Sequence, residues 1–250
     1  MIEYYQLPLL FAIGTVAGLL NVMAGGGSAL TLPALIFLGL DSALANGTNR
    51  VAIVVQNLSA ILSFRQENMY QFRTSMKMAL WTLPGGVLGA ILAIRISDEW
   101  FQRILAVVLI GVVISMMLPG FNRAPADAGD SQQRSWLIYP AMFGIGFYGG
   151  FIQVGVGFLL MAALFHLLRL NLVHVNMHKV FIVLIYTIPA LGVFIWSGNV
   201  DWLLGISLAA GNSFGGWWAA KLSVRKGDKI IRYVLFVAII LMALKLLDIF

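Results

Sequence analysis

Long apolar runs divided by short polar stretches make up most of the chain. Runs of this length predict membrane-spanning helices, because the strands of a membrane barrel would alternate apolar and polar residues. Six runs are predicted as full-length spans: residues 46–64, 75–96, 101–119, 178–196, 202–220 and 230–247. Two further pairs of runs, which we call arm pairs, meet at glycine-rich breaks: 7–23 with 28–40, and 137–155 with 157–168. The pattern therefore predicts an all-α polytopic membrane protein with about 8–10 membrane segments.

Composition supports a membrane protein and narrows its chemistry. Of the 250 residues, 60% are hydrophobic and 10% are charged, whereas soluble domains carry about 25% charged residues. A water-soluble monomer and a disordered chain are therefore excluded. The sequence contains no cysteine, which excludes disulfides, iron–sulfur clusters and thiolate metal sites. We predict neither a cofactor nor a metal. The N-terminus lacks the basic stretch of a cleaved signal peptide, so we expect the first run to remain in the protein.

The second half of the chain repeats the first. Small and amide residues of the first arm pair recur in the second at a constant spacing: Gly14, Gly18, Asn21 and Gly25 match Gly146, Gly150, Gln153 and Gly157. In the next span of each half, Arg50 lies in the position of Lys179. Internal repeats of this kind are common in secondary transporters.

The halves are divided by a polar, Pro/Gly-rich stretch. We predict an N-terminal repeat at 1–120, a cytoplasmic linker at 121–135 and a C-terminal repeat at 136–250. Each repeat contains one glycine-broken helix pair followed by three spans. Because this number of segments is odd, the second repeat should enter the membrane with inverted topology.

Charged loops support the inversion. The loop after the first full span carries Arg65, Arg73 and Lys77, whereas its counterpart, residues 197–201, carries no cation. In the next pair of loops the excess of cations lies in the second half instead. The positive-inside rule then places equivalent loops on opposite sides of the membrane, and a parallel repeat is disfavoured. We predict an inner (cytoplasmic) membrane protein with both termini outside. The cationic loops that orient the protein in the membrane account for its net charge of +6, so we expect no nucleic-acid partner.

The glycine-rich breaks are the first candidate binding elements. Substrate sites of inverted-repeat transporters lie at the repeat interface, where helices break, and a free helix N-terminus attracts anions. Ser28 is predicted to cap the second arm. The alternative is that the glycines serve close helix packing, which we favour for the pairs Gly14/Gly18, Gly85/Gly89 and Gly211/Gly215. The break residues proposed for binding are Asn21, Gly25, Gly26, Gly27, Ser28, Gln153 and Gly157.

Polar residues at the start of the next span form the second element. In the first half they are Asn46, Thr48, Asn49 and Arg50, with Asn57 two turns further on, and in the second half Asn176, His178 and Lys179. Two cations entering from opposite sides could converge on one ligand. The alternative is that both side chains snorkel to the membrane surface. The histidine is either a proton-coupling group or a plain polar contact.

The distribution of acidic residues favours an anionic ligand. All ten acidic residues fall in or beside predicted loops, so no carboxylate is left inside to bind a cation. We therefore predict a transporter of a small oxyanion and no enzyme. A hydrolytic dyad of Ser28 and His178 would leave the repeat unexplained. An anion channel and a purely structural membrane subunit remain as alternatives.

Several motifs resemble the sulfite exporter TauE/SafE family. They are Gly18–Asn21, Ala24–Ser28, Leu32–Leu35 and Gly47–Arg50 in the first half, and Gly149–Gly157, Asn176–Lys179 and Gly198–Trp202 in the second. The resemblance covers nearly the whole chain, although Arg50 replaces the usual lysine. It does not assign binding residues.

The resemblance implies transport of sulfur-containing anions such as sulfite, sulfoacetate and other organosulfonates. We therefore expect a secondary transporter, acting as an exporter, with an uptake permease for sulfonates or an anion channel as alternatives. The expected partners are a small inorganic or organic sulfur oxyanion and the lipid bilayer, and a homodimer is compatible with this picture.

Overall fold

The computed structural model describes residues 6–117 and 136–227, together with 230, 231, 233 and 234. These ranges contain nine α-helices and no strand, which confirms the all-α prediction for the described part of the chain. The helices are α1 (Gln6–Met23), α2 (Ser28–Phe37), α3 (Ser42–Gln66), α4 (Phe72–Ala93), α5 (Asp98–Met117), α6 (Ile138–Phe151), α7 (Val156–Leu168), α8 (Leu172–Trp196) and α9 (Trp202–Lys226). The predicted linker and most of the predicted span 230–247 lie outside the described residues.

Two helices begin earlier than the hydrophobic pattern predicts. α3 starts at Ser42 and α8 at Leu172, so the polar stretches before Val51 and Val180 lie inside helices rather than at their starts. Asn171 caps α8 by accepting a hydrogen bond from the His174 N–H at 2.9 Å. The cap, rather than the apolar run, marks where this helix begins.

Length and hydropathy distinguish the helices that could cross a membrane from the short ones. α1, α4 and α8 are long and apolar enough to cross a membrane. α2 and α7 have 10 and 13 residues and reach only about 15–20 Å, which is less than the roughly 30 Å of a bilayer core. The first arm pair is therefore one full-length helix and one short helix. Both short helices are apolar; α7 buries about half of its residues, and α2 buries Ser28, Thr31, Leu32 and Leu35.

The two halves of the chain are interleaved. The first helix of each half packs on the fourth helix of the other, since α1 contacts α9 and α6 contacts α4. The third helix of each half also packs on the fourth helix of the other half: α3 contacts α9, and α8 contacts α4. α3 and α8 also pack on each other. Packing between the halves therefore dominates the core, and neither half forms a separate layer.

Glycines allow these helices to approach closely. A side chain at Gly14 or Gly18 would collide with the backbone of α9 near Asn212. Gly211 and Gly215 face the α1 backbone in the same way, and Gly85 and Gly89 face that of α6. The close-packing interpretation of these three glycine pairs is confirmed.

Two glycines of α6 test this packing. Gly146 faces the Thr82 carbonyl of α4, whereas nothing lies within 4 Å of a side chain added at Gly144. We expect Gly146→Val to lower the free energy of unfolding by about 1–3 kcal/mol or more through overpacking, and Gly144→Val to have little effect. Thermal unfolding midpoints of the two purified variants in detergent measure the difference. Equal midpoints would contradict the packing.

Candidate functional site

The two glycine-rich breaks meet in the interior. Gly25 has a left-handed backbone with φ of 87°, and its neighbour across the repeat is Gly157. A side chain on either glycine would collide with the backbone of the other. Residues 22–28 and 149–158 are all buried. The breaks of the two halves therefore cross at a point where only glycine fits.

Arg50 of α3 caps the end of α6 in the other half. Its guanidinium Nη2 donates to the Gly150 carbonyl, and Nη1 donates to the Gln153 side-chain oxygen at 3.4 Å. Asn46, one turn earlier, donates to the Phe151 carbonyl at 2.8 Å. Arg50 is fully buried, and its Cζ lies 4.8 Å from the ring centroid of Phe194.

Lys179 of α8 caps the end of α1 in the reciprocal way. Its Nζ donates to the Val22 carbonyl at 2.7 Å and to the Asn176 side-chain oxygen at 2.8 Å. Asn176 in turn donates to the Met23 carbonyl at 3.4 Å. Each half thus contributes an amide and a cation to the broken helix of the other half.

This arrangement explains how two cations are held inside an apolar protein. The last carbonyls of a helix lack partners in their own helix and carry partial negative charge. A buried cation placed there is hydrogen-bonded and partly compensated. Arg50 and Lys179 are 0% and 2% exposed, so the interpretation that both side chains snorkel to the surface is wrong.

Several buried hydrogen-bond donors on α2 and α3 have no partner among the described residues. They are Ser28 Oγ, Asn49 Nδ2, Arg50 Nε and Gln56 Nε2. Thr31 of α2 donates to the Asn49 side-chain oxygen at 2.7 Å, which fixes that amide and leaves its N–H groups available. Unpaired buried donors are costly, and a ligand that carries hydrogen-bond acceptors would satisfy them.

The start of α2 adds backbone donors. The first helical hydrogen bonds run from Ala29 N–H to the Gly26 carbonyl and from Leu30 N–H to the Gly27 carbonyl. The N–H groups of Gly26, Gly27 and Ser28 therefore precede the first turn, at the positive end of the helix. Gly27 has helical φ and ψ and is the N-cap, so the prediction that Ser28 caps this arm is wrong: the flexible glycine run already starts the turn.

The remaining predicted site residues have contacts elsewhere. Asn57 donates to the Ile53 carbonyl of its own helix at 2.7 Å. His178 Nδ1 lies 2.7 Å from Ser75 Oγ of α4. Thr48 Oγ1 accepts from the Asp201 N–H at 2.9 Å. The hydrogen bonds described for these three side chains are therefore not with the glycine-rich breaks. Asn21, by contrast, remains beside the first break and donates to Gln56 Oε1 at 3.2 Å.

Some site residues could not be inferred from the sequence pattern. Tyr186 is fully buried, and its hydroxyl donates to Gln153 Oε1 at 3.1 Å. Phe194 stacks on Arg50. Both lie in the long apolar run of α8, where nothing distinguishes them from lipid-facing neighbours. A glutamine inside an apolar span, Gln56, is the one signal that could have been found.

The sequence matches the family described as "Sulfite exporter TauE/SafE" over residues 10–246. The chain therefore belongs to this family of membrane transporters.

The chain is also similar to several curated proteins over nearly its whole length. It is 28% identical to a "Probable membrane transporter protein" of Haemophilus influenzae, covering 96% of this chain and 94% of that protein. It is 29% identical to "Probable membrane transporter protein ORF9" of Sinorhizobium sp, with 98% and 94% covered. It is 27% identical to "Probable membrane transporter protein YfcA" of Escherichia coli strain K12, with 99% and 91% covered. No solved structure matches the chain.

The reciprocal caps predict a stability effect at Lys179. Lys179→Met keeps the length of the side chain and leaves the Val22 carbonyl buried without its donor. We expect the free energy of unfolding to fall by about 1–3 kcal/mol. Lys77→Met, the same change at an exposed lysine of α4, should leave the thermal midpoint in detergent unchanged. Matching midpoints for the two variants would show that the cap contributes nothing.

Proposed function

We propose that this chain is a secondary transporter that exports a small sulfur oxyanion, such as sulfite or an organosulfonate, across the cytoplasmic membrane. The observation that carries the proposal is the set of unpaired buried donors on α2 and α3. Oxyanions accept several hydrogen bonds at once, and charge-assisted bonds of this kind are the strong ones. Arg50 Nε, Asn49 Nδ2 and Ser28 Oγ are donors of this set.

The charge of the interior supports an anion rather than a cation. The acidic residues that the structure describes are Asp41, Glu67, Asp98, Glu99 and Asp201, and all lie at helix ends. None of these five is buried, whereas Arg50 and Lys179 are. A cation carrier would need buried carboxylates. A membrane potential that is negative inside the cell favours the export of each negative charge by about 2.3 kcal/mol per 100 mV.

The exchange of packing between the halves supports the inverted-repeat prediction. α1 relates to α9 as α6 relates to α4, and each broken helix is capped from the other half. With cation-rich loops on the cytoplasmic side, both termini lie outside. Two inverted halves around a central break site form the general plan for alternating access.

Ser28 allows a test that spares the fold. Its hydroxyl has no partner among the described residues, so Ser28→Ala should fold normally and weaken sulfite binding by about 10–100-fold, the loss of one charge-assisted hydrogen bond. Ser223 near the C-terminal end of α9 is also buried, and its hydroxyl has no partner among the described residues. Because Ser223 is not one of the residues proposed to bind the anion, Ser223→Ala is the matched control. Titration calorimetry on the purified proteins measures both affinities.

Substrate class and mode of transport are tested together in proteoliposomes. We expect saturable flux of sulfite or a small sulfonate, weaker flux of sulfate, and counterflow of labelled substrate, which a carrier shows and an open channel does not. Ser28→Ala should reduce this flux and Ser223→Ala should retain it. Absence of flux for sulfite, thiosulfate, sulfate and sulfonates would overturn the substrate, and flux without counterflow would favour a channel.

A further inference from the structure

A cavity of about 580 Å³ opens at the end of α3. Its walls are the last turns of α3, the loop between α3 and α4, and the first turns of α8. This volume lies within the usual range for small-ligand pockets. The lining includes Ile61, Arg65, Tyr70, Ser75, Met177 and Phe181. None of these residues takes part in the break crossing described above.

The cavity lies next to one of the two buried caps. Met177 and Val180 line it, and Lys179 between them turns its Nζ to the Val22 carbonyl of the first break. Ser75 of the opposite wall lies against His178. The cavity is therefore lined by the part of α8 that also carries the Lys179 cap.

The equivalent end of the other half is closed. α3 and α8 both have 25 residues. Aligning their first residues pairs Asn46 with Asn176, Gly47 with Met177, and the loop 197–201 with the loop 67–71; in this register Arg50 lies one position after the counterpart of Lys179. There the Asn199 carbonyl sits against Gly47, closer than any side chain would permit. The Asp201 N–H bonds to Thr48, and Phe194 covers the Arg50 guanidinium.

Charge also distinguishes the open end. Arg65, in the last turn of α3, is exposed at the cavity, and the acidic residue that follows it, Glu67, is neutralised by an ion pair with Arg225 of α9 at 2.9 Å. Cationic rims raise the local concentration of anions. By the positive-inside rule this end faces the cytoplasm.

We propose that this cavity is the water-filled vestibule through which the transported anion reaches the break site from the α3–α4 side. The structure then represents the state that is open to this side, with the opposite side sealed by Phe194 and the loop 197–201. This inference rests on the proposed function. It adds the path that the anion takes to the break site and the side of the membrane from which it enters. Ile61 and Phe181 line the route, whereas Val51, the counterpart of Phe181, lies behind the seal.

The natural sequence has no cysteine, so single cysteines can be introduced without other changes. The probes are Ile61→Cys and Phe181→Cys in the vestibule and Val51→Cys behind the seal. Leu58→Cys, on the exposed face of α3, is the control for a lipid-facing position. A charged, water-soluble methanethiosulfonate reagent is applied to protein in detergent, where both ends are reachable, and to oriented membrane vesicles.

We expect both vestibule cysteines to react at least about tenfold faster than Val51→Cys, the ratio that a state preference of roughly 1.4 kcal/mol would produce. Leu58→Cys should stay unreactive in vesicles, because its thiol faces lipid. The vestibule cysteines should react from the cytoplasmic face. Equal rates at Ile61→Cys and Val51→Cys, or reaction of the vestibule cysteines only from outside, would overturn the proposal.

A second measurement tests whether the transported anion passes through the vestibule. Reagent attached at Ile61→Cys should abolish sulfonate flux in proteoliposomes, and reagent on Leu58→Cys should leave it unchanged. Full flux through labelled Ile61→Cys would overturn the route even if the labelling pattern holds. Failure of the proposed function gives a different result, namely no sulfur-oxyanion flux in the unlabelled wild-type protein while the cysteine reactivities still differ.

Discussion

A helix that ends inside a membrane protein leaves its last carbonyl groups without partners in a medium that supplies no water. Here two helices, α1 and α6, end in this way at the glycine-rich breaks. Each is completed by an amide and a cation from the other half: Asn46 and Arg50 for α6, and Asn176 and Lys179 for α1. The breaks, the buried charges and the interleaving of the halves therefore depend on one reciprocal interaction.

The same interaction also determines the charge of the interior. Two cations are held by helix ends rather than by carboxylates, so the charge is compensated only in part. Donors that remain unpaired, on Ser28, Asn49 and Gln56, lie on α2 and α3, and the positive end of the α2 dipole lies at the first break. On this ground we propose an anion as the ligand.

Close packing of helices excludes a ligand, whereas access for a ligand requires open space between them. Gly25 and Gly157 bring the two breaks into backbone contact, and Gly47 lets the loop 197–201 seal one end of the assembly. At the other end Met177 replaces that glycine, and a cavity lies beside it. The two halves share a plan but differ in the size of a few side chains, and that difference gives the molecule two distinct ends.

Much of this was determined by the sequence alone. Apolar run lengths indicated helices in the membrane, glycine spacing indicated both the breaks and the close contacts, and the match of Arg50 to Lys179 identified the two cations. What those cations contact was decided only by the tertiary structure. Their partners are backbone carbonyls about 100 or more residues away, and a carbonyl carries no signal in a sequence. The roles of Tyr186 and Phe194 were likewise hidden, because burial against Gln153 and Arg50 depends on how α8 is rotated, which an almost uniformly apolar helix does not reveal.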